Sequence, residues 1–412
     1  MGVCCDLFVC GLEKPSPLEE NYTWTDPDDA LESLKRNQAM SNNPLRQLES
    51  FGQSIWLDYI RRDLIAGGAL QRLIEDDGLR GMTSNPAIFE KAIMDSQDYD
   101  AEIKALTLEG KDPQAIYESL SQGDVRSAAD SFAPLYVRTN GADGFVSLEV
   151  NPHLARNTQG TVDEARRLWA QLNRPNVFIK VPATEQGLPA IRQLISEGIS
   201  VNVTLIFGLP RYRQVAEAFI AGLEARAAEG KPLKQVASVA SFFVSRIDAA
   251  VDPLLALSAA RGPREAEMAK EFQGRTAIAS AKLAYQIYKE IFGTERFRKL
   301  SNLGARVQRP LWASTSSKNP ADSDIKYVEA LIGKETVNTA PLETVNAYRD
   351  HGKPAARLES GLDEARTLLK GLPELGIDID QVTQKLEDEG VEKFNVPFDK
   401  LIASLAKRPV AS

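Results

Sequence analysis

Residues 176–207 read NVFIKVPATEQGLPAIRQLISEGISVNVTLIF, and they hold two different periods. The stretch opens with a short apolar run, Asn176–Val181, and closes with another, Ser200–Phe207. Between them, Ala190, Leu194 and Ile195 recur at the spacing of one helix face. Strand, helix and strand in that order form a βαβ unit, which implies parallel pairing. The pattern extends in both directions. Further strand-like runs fall at Ser54–Asp58, Leu79–Thr83, Gly144–Val150, Val236–Val244, Arg309–Ser314 and Glu335–Thr339, making eight in all. Val215, Phe219, Ile220 and Leu223 outline another helix face, and Ala277, Ala281, Leu283, Ala284 and Ile287 a third. Such a run of units predicts the α/β class and a single (β/α)8 barrel (a TIM barrel) over residues 41–355. No Gly-x-Gly-x-x-Gly turn follows the first strand, so a dinucleotide fold lacks its main support.

The two flanks read differently. Residues 1–40 are expected to be a leader outside the barrel. Eight acidic residues against three basic within 1–39 argue against a transit peptide. Met1-Gly2-Val3-Cys4-Cys5 hints at lipidation, but Asp6 stands where a myristoylation signal wants Ser or Thr. Met40-Ser41-Asn42-Asn43-Pro44 would also serve as a natural start, with helix-capping residues in place. At the other end, residues 356–412 read as a helical extension packed on the barrel. Phe394, Phe398, Leu401, Ile402 and Leu405 form one apolar stripe, and Asn395-Val396-Pro397 is expected to start that helix.

Composition narrows the chemistry. The 412 residues are 43% apolar, and no apolar run approaches the ~20 residues of a spanning helix. Net charge is −8 with no dense basic patch, so neither nucleic acid nor membrane is an expected partner. The three cysteines, Cys4, Cys5 and Cys10, all lie in the first ten residues, which excludes a disulfide framework in the fold and suits a reducing, cytoplasmic setting. With only His153 and His351 and no acidic cluster, no metal and no cofactor is expected. The chemistry falls to Lys, Asp, Glu and hydroxyl groups.

Lys180 is the anomaly. A lysine inside an apolar strand either sends its head to water or is buried for a purpose. A buried amine is disfavoured as a cation, and a neutral amine can attack a ketone. In a (β/α)8 barrel the active site forms at the C-terminal strand ends. Polar residues recur there: Asp58, Thr83 to Asn85, Glu149, Lys180, Asn202 with Thr204, Ser241 with Arg246, and Ser314 to Lys318. Ser147 and Glu149 share a strand face, as do Asn202 and Thr204. Taken singly, each has a plainer reading: a cap for Asp58, a turn for Asn85, a solvated Glu149, a surface Arg246. Together they describe a lined pocket.

Those residues carry a resemblance. Ser54–Asp58, Gly81-Met-Thr-Ser-Asn-Pro-Ala-Ile-Phe89, Val146-Ser-Leu-Glu-Val150, Phe178-Ile-Lys-Val-Pro-Ala-Thr-Glu-Gln-Gly187, Gly198–Phe207 and Ser241-Phe-Phe-Val-Ser-Arg246 resemble the transaldolases, in that family's order and spacing. The C-terminal helical extension is similar to the long bacterial form. The resemblance implies a metal-free class I aldol transfer in the pentose phosphate pathway. Lys180 would form a Schiff base with C2 of fructose 6-phosphate or sedoheptulose 7-phosphate. Glu149 would shuttle protons through a water positioned by Thr204, and Asp58 would take the C4 hydroxyl proton. The retained dihydroxyacetone unit would pass to erythrose 4-phosphate or glyceraldehyde 3-phosphate. Asn85 and Asn202 would hold substrate hydroxyls, Thr83, Ser241 and Phe243 would line the site, and Arg246 would hold phosphate. The protein would be a monomer or homodimer.

One departure stands out. Many family members carry Ser-Phe-Arg after the seventh strand, whereas this chain has Ala313-Ser-Thr-Ser-Ser-Lys-Asn319. Lys318 would then replace the phosphate-binding arginine, with either Ser314 or Ser316 as the serine. The nearest rival is a fructose-6-phosphate aldolase, which releases dihydroxyacetone and carries a tyrosine where this chain has Phe243. A non-catalytic phosphosugar-binding barrel, or a variant recruited to a membrane or redox partner through the leader, are the readings from other classes.

Overall fold

The computed structural model describes residues 43–407. The leader expected over 1–40, with its cysteines and the alternative start at Met40, lies outside the described residues. Eight parallel strands close into a barrel in sequence order: β1 (Gln53–Asp58), β2 (Gly81–Thr83), β3 (Phe145–Glu149), β4 (Val177–Pro182), β5 (Val201–Ile206), β6 (Ser238–Phe243), β7 (Arg309–Ala313) and β8 (Thr336–Ala340). β1 closes the ring by pairing with β8, from Gln53 opposite Thr336 to Leu57 opposite Ala340. The expected (β/α)8 architecture is therefore the one observed.

The principal helices are α1 (Pro86–Met94), α2 (Pro113–Arg138), α3 (Thr158–Leu172), α4 (Gly187–Glu197), α5 (Leu209–Ala228), α6 (Ser245–Ala259), α7 (Thr276–Phe292), α8 (Leu342–His351), α9 (Leu362–Gly371) and α10 (Ile379–Lys407). Each connecting helix turns an apolar stripe to the sheet. Ala190, Leu194 and Ile195 of α4 and Val215, Phe219, Ile220 and Leu223 of α5 are buried as expected. On α7 the buried face is rotated from the expected one. Leu283 and Ile287 are half-buried, while Tyr285 and Tyr288 go inside. Their hydroxyls bond Lys334 O at 3.1 Å and Glu335 Oε2 at 2.7 Å, which satisfies the polar tip that burial would otherwise penalise.

Inside the barrel the side chains form layers. At the N-terminal end Asp143 binds Arg80 Nε at 2.8 Å, Arg309 Nη1 at 3.0 Å and Ser54 Oγ at 2.9 Å. Above this plug Phe145 stacks on Phe178 with centroids 4.2 Å apart, and Trp56 lies 6.2 Å from Phe178. β1 and β4 are not neighbours in the sheet, so the Trp56–Phe178 contact crosses the interior. Two residues further along each strand, on the same face, come Asp58, Ser147 and Lys180, with Glu149 a further two beyond Ser147. The barrel thus places an aromatic floor beneath a polar layer at the C-terminal end.

The C-terminal helix differs from its expected form. Asn395-Val396-Pro397 does not start it. Asp378 Oδ1 caps it by accepting from the amides of Asp380 and Gln381 at 3.0 and 3.1 Å, and α10 runs on to Lys407 with Pro397 inside. A proline inside a helix removes a hydrogen bond and costs ~3 kcal/mol. A continuous buried face offsets that cost: Leu386, Val391, Phe394, Phe398, Leu401 and Leu405 pack on α1, α2, α6 and β5. Ile402, expected in the same stripe, is only half-buried because it lies at the edge of that face.

Candidate active site

Lys180 and Glu149 stand opposite each other in the β3–β4 ladder. In-register neighbours on one face bring side chains together, and Lys180 Nζ lies 3.3 Å from Glu149 Oε2. The same amine donates to the Ser84 carbonyl at 3.1 Å, across from the loop after β2. Lys180 is 4% exposed and Glu149 7%, so neither head group reaches bulk water. The simple picture of a strand-end lysine with a solvated head does not describe this residue. Burial pushes the Glu149 carboxyl up to about 7, against the downward pull of the Lys180 charge. A carboxyl near neutrality can both hold and release a proton at physiological pH.

A cavity of about 220 Å³ opens above the amine. Asp58, Thr83, Asn85, Thr204, Ser241, Phe243, Arg246, Ser314 and Lys318 all line it with Lys180. Asp58 ends β1 at the cavity wall. Thr83 Oγ1 donates to Asp58 Oδ1 at 2.6 Å and meets Thr339 Oγ1 at 2.7 Å. Burial raises the Asp58 carboxyl, opposed by Lys180, the Thr83 bond, Arg246 and Lys318 in that order. Thr204 is fully buried, and its Oγ1 has no protein hydrogen-bond partner among the described residues. Its strand is irregular at that point. The register shifts between Val203 and Ile206, and Leu205 takes a positive φ of 61°. Asn85 is the N-cap of α1, its Oδ1 accepting from Ile88 N at 3.0 Å, and it lines the cavity as well.

Two cations face the opposite rim. Arg246 sits in the first turn of α6 with its guanidinium 5.4 Å from the Phe243 ring, and its buried Nη1 has no partner among the described residues. Lys318 donates to Ser316 Oγ at 2.8 Å. Burial lowers the basicity of both, and Arg246 lowers Lys318 further. Two cations that destabilise each other in partial burial are relieved by a bound anion. After β7, Ser314 has a φ of 54° and pairs with Ser245 Oγ at 3.0 Å; both it and Ser316 line the cavity.

Asn202 stands apart from the wall. It is fully buried, its Nδ2 donating to Ser147 Oγ at 3.0 Å and its Oδ1 accepting from Ser241 Oγ at 2.7 Å. It braces β3, β5 and β6 beneath the amine. Sequence reasoning missed Phe394 of α10, whose ring centre lies 5.2 Å from Lys180 Nζ, and Thr339 of β8. Phe394 carried only the signal of an apolar stripe; Thr339 could have been found from its place at the end of the eighth strand. Among the described residues, no group of three His, Cys, Asp or Glu is arranged to hold a metal ion, and no helix is long and apolar enough to cross a membrane. A larger hollow of about 320 Å³ lies between α7 and α9, lined by Ile278, Ala279, Ala365 and Leu368 among others. Lys282 and Glu364 also line it, but the Lys282 amine is held by the Ser360 carbonyl at 2.6 Å and the hollow lies outside the C-terminal ends of the strands, so position in the fold and not size locates the site.

A family model described as transaldolase/fructose-6-phosphate aldolase matches residues 55–405, and so takes in most of β1, all of β2 to β8 and nearly all of α10. The chain belongs to the transaldolase/fructose-6-phosphate aldolase family. It is 48% identical to Transaldolase 2 of Nostoc sp. over 371 residues, covering 89% of this chain and 97% of that protein. It is 47% identical to a transaldolase of Trichodesmium erythraeum over 373 residues, 90% and 98% of the two chains. A transaldolase of Thiobacillus denitrificans is 46% identical over 363 residues, 88% and 99%. The Lys180 amine and the Asp58 and Glu149 carboxylates lie at the C-terminal ends of β4, β1 and β3, the end of the barrel at which (β/α)8 enzymes carry their chemistry.

Proposed function

We propose that this family member is a transaldolase that moves a dihydroxyacetone unit between sugar phosphates through a Schiff base on Lys180. The observation that carries the reading is the buried Lys180–Glu149 contact of 3.3 Å, whose Lys180 lines a cavity walled also by Asp58 and by two cations. Transfer of a proton from the ammonium to a carboxyl poised near 7 frees the amine to attack C2 of a ketose. The C2 oxygen takes one proton from the attacking nitrogen and one back from Glu149, leaves as water, and Lys180 is left as an iminium. Thr204 Oγ1, buried and without a protein partner among the described residues, is placed to orient the water that carries these protons.

The iminium is the electron sink. Asp58 takes the C4 hydroxyl proton, the C3–C4 bond breaks, and its electron pair moves toward C2 to give an enamine. The aldose phosphate departs. An acceptor aldose then takes its place, the enamine carbon bonds to its carbonyl carbon, and Asp58 returns the proton to the new hydroxyl. Hydrolysis of the resulting iminium frees the product and Lys180. Arg246 and Lys318 hold the phosphate, the planar fork of the arginine supplying paired bonds and the lysine a point charge. Asn85 and Thr83 contact substrate hydroxyls; Asn202 and Ser241 set the floor.

The reading is tested by incubating the enzyme with fructose 6-phosphate and erythrose 4-phosphate in the presence of a chelator. Sedoheptulose 7-phosphate is the expected product, and Lys180→Met is expected to lose activity by on the order of 10³-fold or more. Free dihydroxyacetone as the main product would place the chain with the fructose-6-phosphate aldolases instead. Unchanged turnover in Lys180→Met would refute the Schiff base.

A further inference from the structure

We infer that Phe394 of α10 is a specificity-determining residue that keeps the covalent intermediate on the transfer route and away from release. The inference rests on the Schiff-base reading above. Among the described residues that line the cavity, Phe394 alone comes from the helical extension that follows the eighth strand and its helix α8. It is 4% exposed, and its ring centre is 5.2 Å from Lys180 Nζ. The neighbouring Phe398 of the same stripe meets Tyr117 edge-on at 5.4 Å and His153 at 5.9 Å, an ordinary packing role. Phe394 is the stripe member that covers a nucleophile.

Its position is fixed from two sides. Gly390, one turn earlier, lies so close to β5 that an added Cβ would stand 3.0 Å from Leu205 Cδ2. Leu205 is the positive-φ residue that directly follows Thr204. One turn earlier still on the helix, Glu387 holds Arg211 Nε at 2.8 Å. The helix is therefore seated against the strand that carries Thr204, and its aromatic ring is held over the amine.

The chemistry gives that ring a task. After C3–C4 cleavage the enamine has two fates. In transfer, its C3 bonds to the carbonyl carbon of an acceptor, whose oxygen takes a proton. In release, C3 takes a proton itself, water adds to C2, and the Lys180 amine leaves from free dihydroxyacetone. The routes divide at protonation of C3. Phe243 and Phe394 supply apolar walls of the same cavity, and neither carries a proton donor or seats a water as a hydroxyl would. Phe394 thus withholds the proton that would end the intermediate early.

The test is a partition ratio, read in one reaction as free dihydroxyacetone formed per sedoheptulose 7-phosphate formed. The ratio is set intermediate by intermediate, so it does not depend on the fraction of folded enzyme. Phe394→Ala is expected to raise it by about tenfold, equivalent to about 1.4 kcal/mol in the difference between the two barriers. Phe394→Tyr, which adds a hydroxyl and keeps the ring, is expected to raise it as well, and serves if the alanine variant does not fold. A lower rate with an unchanged ratio in both variants would reduce Phe394 to a packing residue and overturn the inference. Borohydride trapping of the wild-type enzyme separates the two levels. An adduct on Lys180 with unchanged ratios sinks the role of Phe394 alone, whereas no adduct sinks the mechanism beneath it.

Discussion

Glu149 carries a consequence for stability as well as for proton transfer. Its folded pKa of about 7 lies above its ordinary value of 4.5, because burial disfavours the carboxylate. A raised carboxyl pKa favours the folded state below the unfolded value, and that contribution is lost as pH climbs through the folded one. Glu149→Gln has no such titration. The stability gap between variant and wild type is therefore expected to move in favour of the variant between about pH 5 and about pH 8, by up to on the order of 3 kcal/mol. Urea unfolding at both pH values checks it, and a gap that stays constant would contradict the burial argument. Phe243 lines the same cavity, and Phe243→Tyr is expected to raise dihydroxyacetone release from fructose 6-phosphate; unchanged release would refute its part in retaining the intermediate. Single residues were legible in the sequence where their type clashed with their surroundings. Lys180 is a cation in an apolar strand, and Glu149 shares a strand face with Ser147. Phe394 gave no such clash, because a buried aromatic on an amphipathic helix is the ordinary case.

At the scale of elements, the strand–helix alternation predicted all eight strands, with errors at their ends. Leu79 and Arg80 read as strand, but β2 begins at Gly81. Arg80 turns instead to Asp143 and Glu49, an ion-pair choice that local propensity does not encode. The start of α10 was misplaced for a related reason: proline at 397 is a start signal, and only tertiary packing overrides it. The loop after β4 shows a constraint the motif contained without explaining. Gly187 opens α4, and a Cβ there would fall far inside contact distance of the Pro182 carbonyl oxygen, with Thr184 Oγ1 at 3.1 Å. Pro182 is two residues from Lys180, so relief would have to move the strand that carries the amine. Gly187→Ala is expected to cost about 2–3 kcal/mol. It should also lower kcat more than it raises KM, measured by unfolding and steady-state kinetics; wild-type values for both would show that the turn can relax without disturbing β4.

Across the whole molecule, α10 ties distant parts of the chain to the barrel mouth. Lys400 reaches Glu90 on α1 at 2.6 Å, His153 meets Asp399 at 2.7 Å, and Arg211 on α5 grips Glu387. The first two ties are exposed at one partner or both and are worth little. Glu387 is 5% exposed, and breaking a buried pair by removing one partner strands the other's charge. Arg211→Ala is expected to destabilise by about 3 kcal/mol near neutral pH, with a smaller loss near pH 5, where the stranded carboxyl can take a proton. Thermal unfolding at the two pH values reads this directly, and an equal loss at both would contradict it. The sequence showed that a helical extension exists; that it closes over the Lys180 amine depends on contacts between residues far apart in the chain. The central claim is that Lys180 is the covalent centre. Borohydride reduction in the presence of fructose 6-phosphate, followed by peptide mass mapping, tests it most directly. The account predicts one reduced adduct, on Lys180 and absent without substrate. An adduct elsewhere, or none while transfer proceeds, would contradict it.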